Sequence, residues 1–133
     1  MTGTDTARNP RSKFEAKILA DLSRLDADYV YEDPRSWVAF TQPAKSRRYL
    51  PDITLRTRSG KTIYIEVKGK LDVDTRHKME WVKEQHPDKD IRIIFMRNNR
   101  LSKNTKVKTY VDWAESKGFP CAVGAPPAEW LIE

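Results

Sequence analysis

Apolar residues recur along this chain at two periods, and the switches between them mark the elements. Phe14, Ile18, Leu22 and Leu25 share one face at helical spacing, and Ser12-Lys13-Phe14-Glu15 has the S-x-x-E form of a capping box. A helix is expected from about Ser12, fading at Asp26–Asp28. Tyr29 to Tyr31 and Trp37 to Phe40 read as extended, with Asp33-Pro34 between them. Proline cannot donate to a ladder, so one unbroken central strand across that point is not expected. Thr41 to Arg48 reads as a polar loop. Strict alternation follows at Ile53 and Leu55, then at Ile63, Ile65 and Val67. Asp74 is the expected N-cap of a second helix that carries Met79 and Val82 and is limited by Pro87. Ile91 to Met96 (IRIIFM) is nearly all apolar, as expected of a strand covered on both faces. Thr109 is the expected cap of a third helix, with Val111, Trp113 and Ala114, that stops at Gly118; Phe119 to Val123 reads as a last strand. The order α, β, β, β, α, β, α, β predicts one α/β domain over residues 11–133, with a mixed central sheet flanked by helices, behind a disordered leader at 1–10.

The hairpin YLPDITLRTRSGKTIYIEVKGK, residues 49–70, carries the candidate chemistry. Its apolar residues share one face if Leu55 lies opposite Ile63. That register leaves Arg58-Ser59-Gly60 as a three-residue loop with glycine at the left-handed position. It also sets Ile53 opposite Ile65 and Asp52 opposite Glu66. A slip of one residue would bury the polar set. Opposed residues have Cβ atoms roughly 4.5–5.5 Å apart, where like charges repel. Lys68 points to the same face as Glu66, about 7 Å along. Two carboxylates at this range call for a cation, and hard divalent ions such as Mg²⁺ take one or two carboxylates plus water and substrate phosphate. With a lysine beside them these are the parts of metal-assisted phosphodiester hydrolysis. The bland alternative is the polar outer face of an amphipathic hairpin, shared with Thr54 and Tyr64, in which Lys68 neutralises Glu66. Glu15 has its own bland account: as the acid of the capping box its carboxylate can reach back to the Ser12 N–H.

Charge adds a partner to this picture. Lysine and arginine number 25 against 19 acids, for a net charge of +6 and a pI near 9.5. The excess is clustered: RNNRLSKNTKVK, residues 97–108, holds five basic residues and no acid, and Lys45, Arg47, Arg48, Arg56 and Arg58 surround Asp52. Such runs are often only a solvated face, but two clusters beside a metal-site candidate point to nucleic acid. No apolar run suggests a membrane span or a secretory signal. The single cysteine, Cys121, cannot form an internal disulfide and reads as a small core residue. His77 and His86, nine apart, have no metal-ligand spacing. Trp81, Trp113 and Trp130 read as packing residues.

The spacing P-D-x(13)-E-V-K, behind a helix that carries an acid, resembles the PD-(D/E)XK nuclease superfamily. YLPD (49–52), EVKG (66–69), EQHPDKDIRIIF (84–95) and AEWL (128–131) resemble more closely the bacteriophage endonuclease I enzymes, which resolve four-way (Holliday) DNA junctions. The likeness runs from about Arg11 to the end. It implies a restriction-endonuclease-like fold and catalytic positions at Glu15, Asp52, Glu66 and Lys68. It implies Mg²⁺ (Mn²⁺ substituting) held by Asp52, Glu66, the Val67 backbone carbonyl and Glu15. It implies an intertwined homodimer that exchanges a segment within 29–48, where Trp37 would pack at the interface, with Glu15 reaching the partner's site. The expected protein is phage-encoded, acts in the host bacterium's cytoplasm and makes paired cuts in branched DNA that leave 5′-phosphates. Arg11, Lys13, Lys45, Arg47, Arg48, Lys70, Arg97, Arg100, Lys103, Lys106 and Lys108 would hold the DNA backbones, reading shape rather than sequence.

Three other readings remain open. The same fold could cut or nick mismatched, single-stranded or duplex DNA. It could be a non-catalytic DNA-binding module, against which the intact Asp52, Glu66 and Lys68 count. It could be a dimeric scaffold without nucleic acid, against which the acid-free run 97–108 counts.

Overall fold

The computed structural model describes residues 9–42, 45–101 and 107–133; the expected leader lies almost entirely outside them. The first helix, α1 (Lys13–Arg24), starts where Ser12 Oγ accepts from the Glu15 N–H at 3.0 Å. Only half of the expected capping box forms. The Glu15 carboxylate accepts from the Arg11 N–H at 2.9 Å and from the Tyr31 hydroxyl at 2.7 Å, not from Ser12. Phe14, Ile18 and Leu22 are buried as the helical period predicts.

Among the described residues seven strands follow the helix: β1 (Asp28–Tyr31), β2 (Val38–Gln42), β3 (Lys45–Tyr49), β4 (Ile53–Arg56), β5 (Thr62–Lys68), β6 (Ile91–Phe95) and β7 (Cys121–Val123). The central sheet has the order β1-β4-β5-β6-β7, antiparallel from β1 to β5 and parallel from β5 to β7. The hairpin register is the expected one, Ile53 opposite Ile65 and Leu55 opposite Ile63, and Gly60 turns the loop at φ +90°. The break after β1 is a 3-10 turn, Pro34–Ser36, capped by Asp33.

Two expectations are corrected. Thr41 to Arg48 is not a loop: β2 and β3 form a separate two-stranded sheet, with Val38 opposite Tyr49 and Gln42 opposite Lys45, and β3 is a strand that the pattern does not suggest. The sheet's apolar contribution comes from Val38, Phe40 and Tyr49 alone, which is too sparse an alternation to read along the sequence. The N-cap of α2 (Val73–Gln85) is Asp72, whose Oδ1 accepts from the Thr75 N–H at 2.8 Å; Asp74 lies in the first turn, where its charge suits the helix N-terminus. The third helix, α3 (Tyr110–Ser116), has the complete capping box of Thr109 and Asp112.

Both faces of the central sheet are covered. On one, Ile53, Leu55, Ile63, Ile65, Val67 and Ile94 pack under α1 with Trp130 and Leu131. On the other, Ile91, Ile93 and Phe95 pack against Met79, Val82, Trp113 and Phe119, with Val38, Phe40 and Tyr49 of the small sheet. All five residues of β6 are therefore buried. This second layer has a consequence for the hairpin: the face that carries Tyr64, Glu66 and Lys68 is not an outer face. Glu66 is only 4% exposed. Among the described residues, no helix is long and apolar enough to cross a membrane.

Candidate active site

The acids meet at one end of the central sheet. Pro51 leads into Asp52, immediately before β4, and Asp52 Oδ2 accepts from the Val67 N–H of β5 at 2.8 Å. The Glu32 N–H donates to the Asp52 carbonyl at 3.0 Å and extends the β1–β4 ladder one residue beyond Tyr31–Ile53. Glu15 comes from the first turn of α1, which packs over this end. One carboxylate oxygen from each of Glu15, Glu32 and Asp52 lies within 4.8 Å of the others, a group that could hold a metal ion. Glu66 stands slightly apart, engaged on both oxygens: Tyr49 donates to Oε1 at 2.8 Å, and Lys68 Nζ lies 3.2 Å from Oε2.

Electrostatics tie the four expected residues to one another. Burial and the nearby Glu66 carboxylate push the Asp52 acid up to about 8, with Glu15 adding to the rise and Lys68 opposing it. The repulsion inferred from the hairpin register is therefore present. Burial alone would lower the Lys68 ammonium, but Glu66 and Asp52 outweigh it, and the net shift is upward. Lys68 is a firm cation beside a site with excess negative charge.

Glu32 is the acid that sequence reasoning missed. It is buried, pairs with Arg11 Nε at 2.8 Å, and has a positive φ of +47°, unusual for a residue with a side chain. The bend sets its carboxylate beside Glu15 and Asp52. Its only sequence signal is an acid just before the Asp33-Pro34 break. Tyr31 and Tyr49 were missed as well, since each reads as a core aromatic and only the fold reveals the carboxylate at its hydroxyl.

The expected DNA-contacting residues divide. Arg11 sits at the site through Glu32, whose hydrogen bond and negative charge raise its already high pKa against a small opposing effect of burial. Lys13, Arg47, Arg48, Lys70, Arg97, Arg100 and Lys108 are exposed. Arg97 and Lys70 each lie two residues past the adjacent C-terminal ends of β6 and β5, where Lys68 pairs with Phe95, so these cations lie at the same end of the sheet as the acids. Arg48 stacks on Trp37, its guanidinium carbon 4.5 Å from the ring centre, and Trp37 is 43% exposed. The Lys45 side chain, Lys103 and Lys106 lie outside the described residues. His86 is bound to the Ala39 carbonyl, and the His77 ring lies tilted beside Trp81 with ring centres 5.7 Å apart. Burial pushes the Cys121 thiol up, as suits an inert, half-buried residue.

A carboxylate cluster with excess charge and an adjacent lysine, at the end of a mixed α/β sheet, could hold a cation and a phosphate-bearing substrate. The comparisons agree with that class. A profile of the phage endonuclease I family matches residues 2–133. The chain is 32% identical over 123 residues to endonuclease I of Escherichia phage T7, covering 92% of this chain and 78% of that protein. It is 32% identical over 109 residues to endodeoxyribonuclease 1 of Enterobacteria phage T3, covering 82% of this chain and 68% of that one. The chain belongs to the phage endonuclease I family.

Proposed function

We propose that this protein is a divalent-metal-dependent DNA endonuclease of the PD-(D/E)XK type, selective for four-way and other branched junctions. The observation that carries the reading is the convergence of Glu15, Asp52, Glu66 and Lys68 at one end of the sheet in a family named for endonuclease activity. An Asp52 acid pushed up to about 8 by burial, and further by Glu66 and Glu15, marks a place where a carboxylate's charge lacks compensation. An all-oxygen donor set of that kind fits Mg²⁺ or Mn²⁺. Asp52, Glu66, the Val67 carbonyl and Glu15 would hold the ion, and Glu32 stands within reach.

A divalent cation in this site would supply a nucleophilic water at neutral pH and neutralise charge on the scissile phosphate. The chain's own residues account for the rest. Lys68, held by Glu66, orients the attacking water or stabilises the charge that develops on the phosphate oxygens. In-line attack on phosphorus then expels the 3′ oxygen and leaves a 5′-phosphate. Lys70 and Arg97 beside the site, with Arg11, Lys13, Arg47, Arg48, Arg100 and Lys108 and the expected Lys45, Lys103 and Lys106, contact DNA backbones. Such contacts carry shape rather than sequence.

Junction selectivity follows from pairing two sites. In the dimer we propose, a segment within 29–48 passes between subunits, so that Glu15 of one subunit completes the site of the other. A phage-encoded enzyme of this kind would act in the cytoplasm of its host bacterium. The deciding experiment is cleavage of a labelled four-way junction and its matching linear duplex, in Mg²⁺ and in EDTA, with Glu66→Gln beside the native protein. Paired cuts on the junction alone, lost in EDTA and in the variant, are expected. Equal cutting of both DNAs would leave the chemistry and remove the junction. Binding without cutting under any metal would favour the non-catalytic module.

A further inference from the structure

Three buried tyrosines have described hydroxyl partners, and two of these partners are acids of the site. Tyr29 shares a hydrogen bond with Ser23 Oγ at 3.0 Å, an ordinary solution for a buried phenol. Tyr31, on β1, donates to Glu15 Oε1 at 2.7 Å. Its oxygen is fixed in turn by the Arg11 N–H at 3.2 Å, and the same N–H donates to Glu15 Oε1 at 2.9 Å. Tyr49, at the end of β3, is 2% exposed and donates to Glu66 Oε1 at 2.8 Å. In each glutamate the tyrosine takes Oε1. Oε2 of Glu66 turns to Lys68, and no described hydrogen bond reaches Oε2 of Glu15.

We propose that Tyr31 and Tyr49 are positioning residues for the metal-holding carboxylates, each fixing one oxygen of Glu15 or Glu66 and so setting the direction in which the rest of that carboxylate faces a divalent cation. The proposal rests on the metal-site reading given above. Its physical basis is the neutrality of the donor. A lysine or arginine at Oε1 would fix the carboxylate equally well but cancel the charge that attracts the ion. A phenol fixes orientation and adds no charge of its own, so Glu15 keeps its charge and Glu66 meets no cation beyond Lys68. At Glu66 burial keeps water from competing for Oε1, at Glu15 the bond is part-buried, and each ring is locked by packing: Tyr31 lies in the core beneath α1, Tyr49 in the core beneath α2. The two come from different strands and different sheets, so the arrangement is made twice by independent means. Partners of this kind, one shell out from a metal, typically change metal affinity or activity about 10–100-fold when removed.

The test uses Tyr31→Phe and Tyr49→Phe separately, with Tyr29→Phe as a control that loses a buried phenol hydroxyl away from the acids. Mn²⁺ affinity is measured by titration calorimetry on the DNA-free protein, and cleavage is measured as a function of Mn²⁺. Each of the two variants is expected to bind Mn²⁺ about tenfold or more weakly. Cleavage is expected to need correspondingly more metal and to recover when metal is saturating. Tyr29→Phe and the junction affinity in EDTA should be unchanged. Native Mn²⁺ affinity in either folded variant would overturn the role of that tyrosine, and an equal loss in Tyr29→Phe would reduce the effect to general loosening. Asp52→Asn separates the two levels of the argument. If it binds Mn²⁺ as the native protein does, the metal-site reading itself fails, and this inference with it.

Discussion

Asp52 is where the charges of the site converge, and its environment is unfavourable in the absence of a cation. It is largely enclosed, it accepts one hydrogen bond from Val67, and it faces Glu66 and Glu15. Asparagine would keep an oxygen for the Val67 N–H and remove the repulsion. Asp52→Asn is therefore expected to abolish cleavage yet stabilise the metal-free protein, by about 2 kcal/mol at pH 8, since replacing an uncompensated buried charge is commonly stabilising. The sign follows from linkage. The folded acid at about 8 lies above its ordinary 3.8, so the folded state keeps a proton that the unfolded chain has lost. The penalty is absent below about pH 4 and complete above about pH 8, and the advantage of the variant should grow across that window. Urea midpoints in EDTA at pH 4, 6 and 8 measure it, and a constant difference would contradict the account. At this scale Asp52, Glu66 and Lys68 were legible, because a two-residue period and one glycine loop determine which side chains oppose. Glu32, Tyr31 and Tyr49 were not. Their significance lies in contacts between strands far apart in the chain, and no local pattern encodes these.

Elements whose apolar residues follow one period were readable. Helix α1, the β4–β5 hairpin and β6 stand where their patterns put them, and even the break at Asp33-Pro34 was visible from proline chemistry. The β2–β3 sheet was not, since KSRRY has one apolar-faced residue, Tyr49, and four polar ones. Backbone pairing and an outside clamp hold this sheet together with the burial of Val38, Phe40 and Tyr49. Gln85, at the end of α2, accepts from the Thr41 N–H at 2.7 Å and donates to the Thr41 carbonyl at 2.6 Å. This two-bond bridge completes the outward edge of β2, and His86 adds a bond to Ala39. Gln85→Ala should cost about 1 kcal/mol. It should also raise amide exchange selectively between Val38 and Tyr49, leaving the central sheet protected. Because Tyr49 holds Glu66 from the last position of β3, the same variant should require somewhat more metal for cleavage. Uniform exchange across both sheets would show instead that the small sheet does not open independently.

Across the whole molecule, charge does two opposed things. At the site end it accumulates uncompensated and calls for a ligand; at the far edge it is matched and locks the chain. Arg92, 5% exposed on an otherwise apolar β6, reaches Asp90 at 2.8 Å and both oxygens of Glu133 at 2.7 Å, and lies over Trp130 with its guanidinium carbon 5.1 Å from the ring centre. Lys61, from the hairpin loop, joins Asp90 at 2.8 Å and Glu133 at 3.3 Å. Hydrogen bonds from Arg92 hold the acids of Asp90 and Glu133 down at about 2, against ordinary values of 3.8 and 4.5. For an acid whose folded value is depressed, the stabilisation is complete above the unfolded value and is lost as pH falls through the folded one. This cluster should therefore contribute fully above about pH 4.5 and fail between there and about pH 2, where Asp52 no longer opposes folding. The two ends thus respond to acid with opposite signs. Arg92→Met keeps the stacking stem and leaves both acids without their main partner. It should cost about 2 kcal/mol at pH 7, less than a fully buried pair because Glu133 keeps a third of its side chain in water. Its deficit should close as pH is lowered towards 2, with cleavage at neutral pH and saturating metal little changed. Thermal unfolding of native and Arg92→Met protein from pH 7 to pH 2.5 measures that convergence. A deficit that persists at low pH would mean that Arg92 acts by packing on Trp130 rather than by charge.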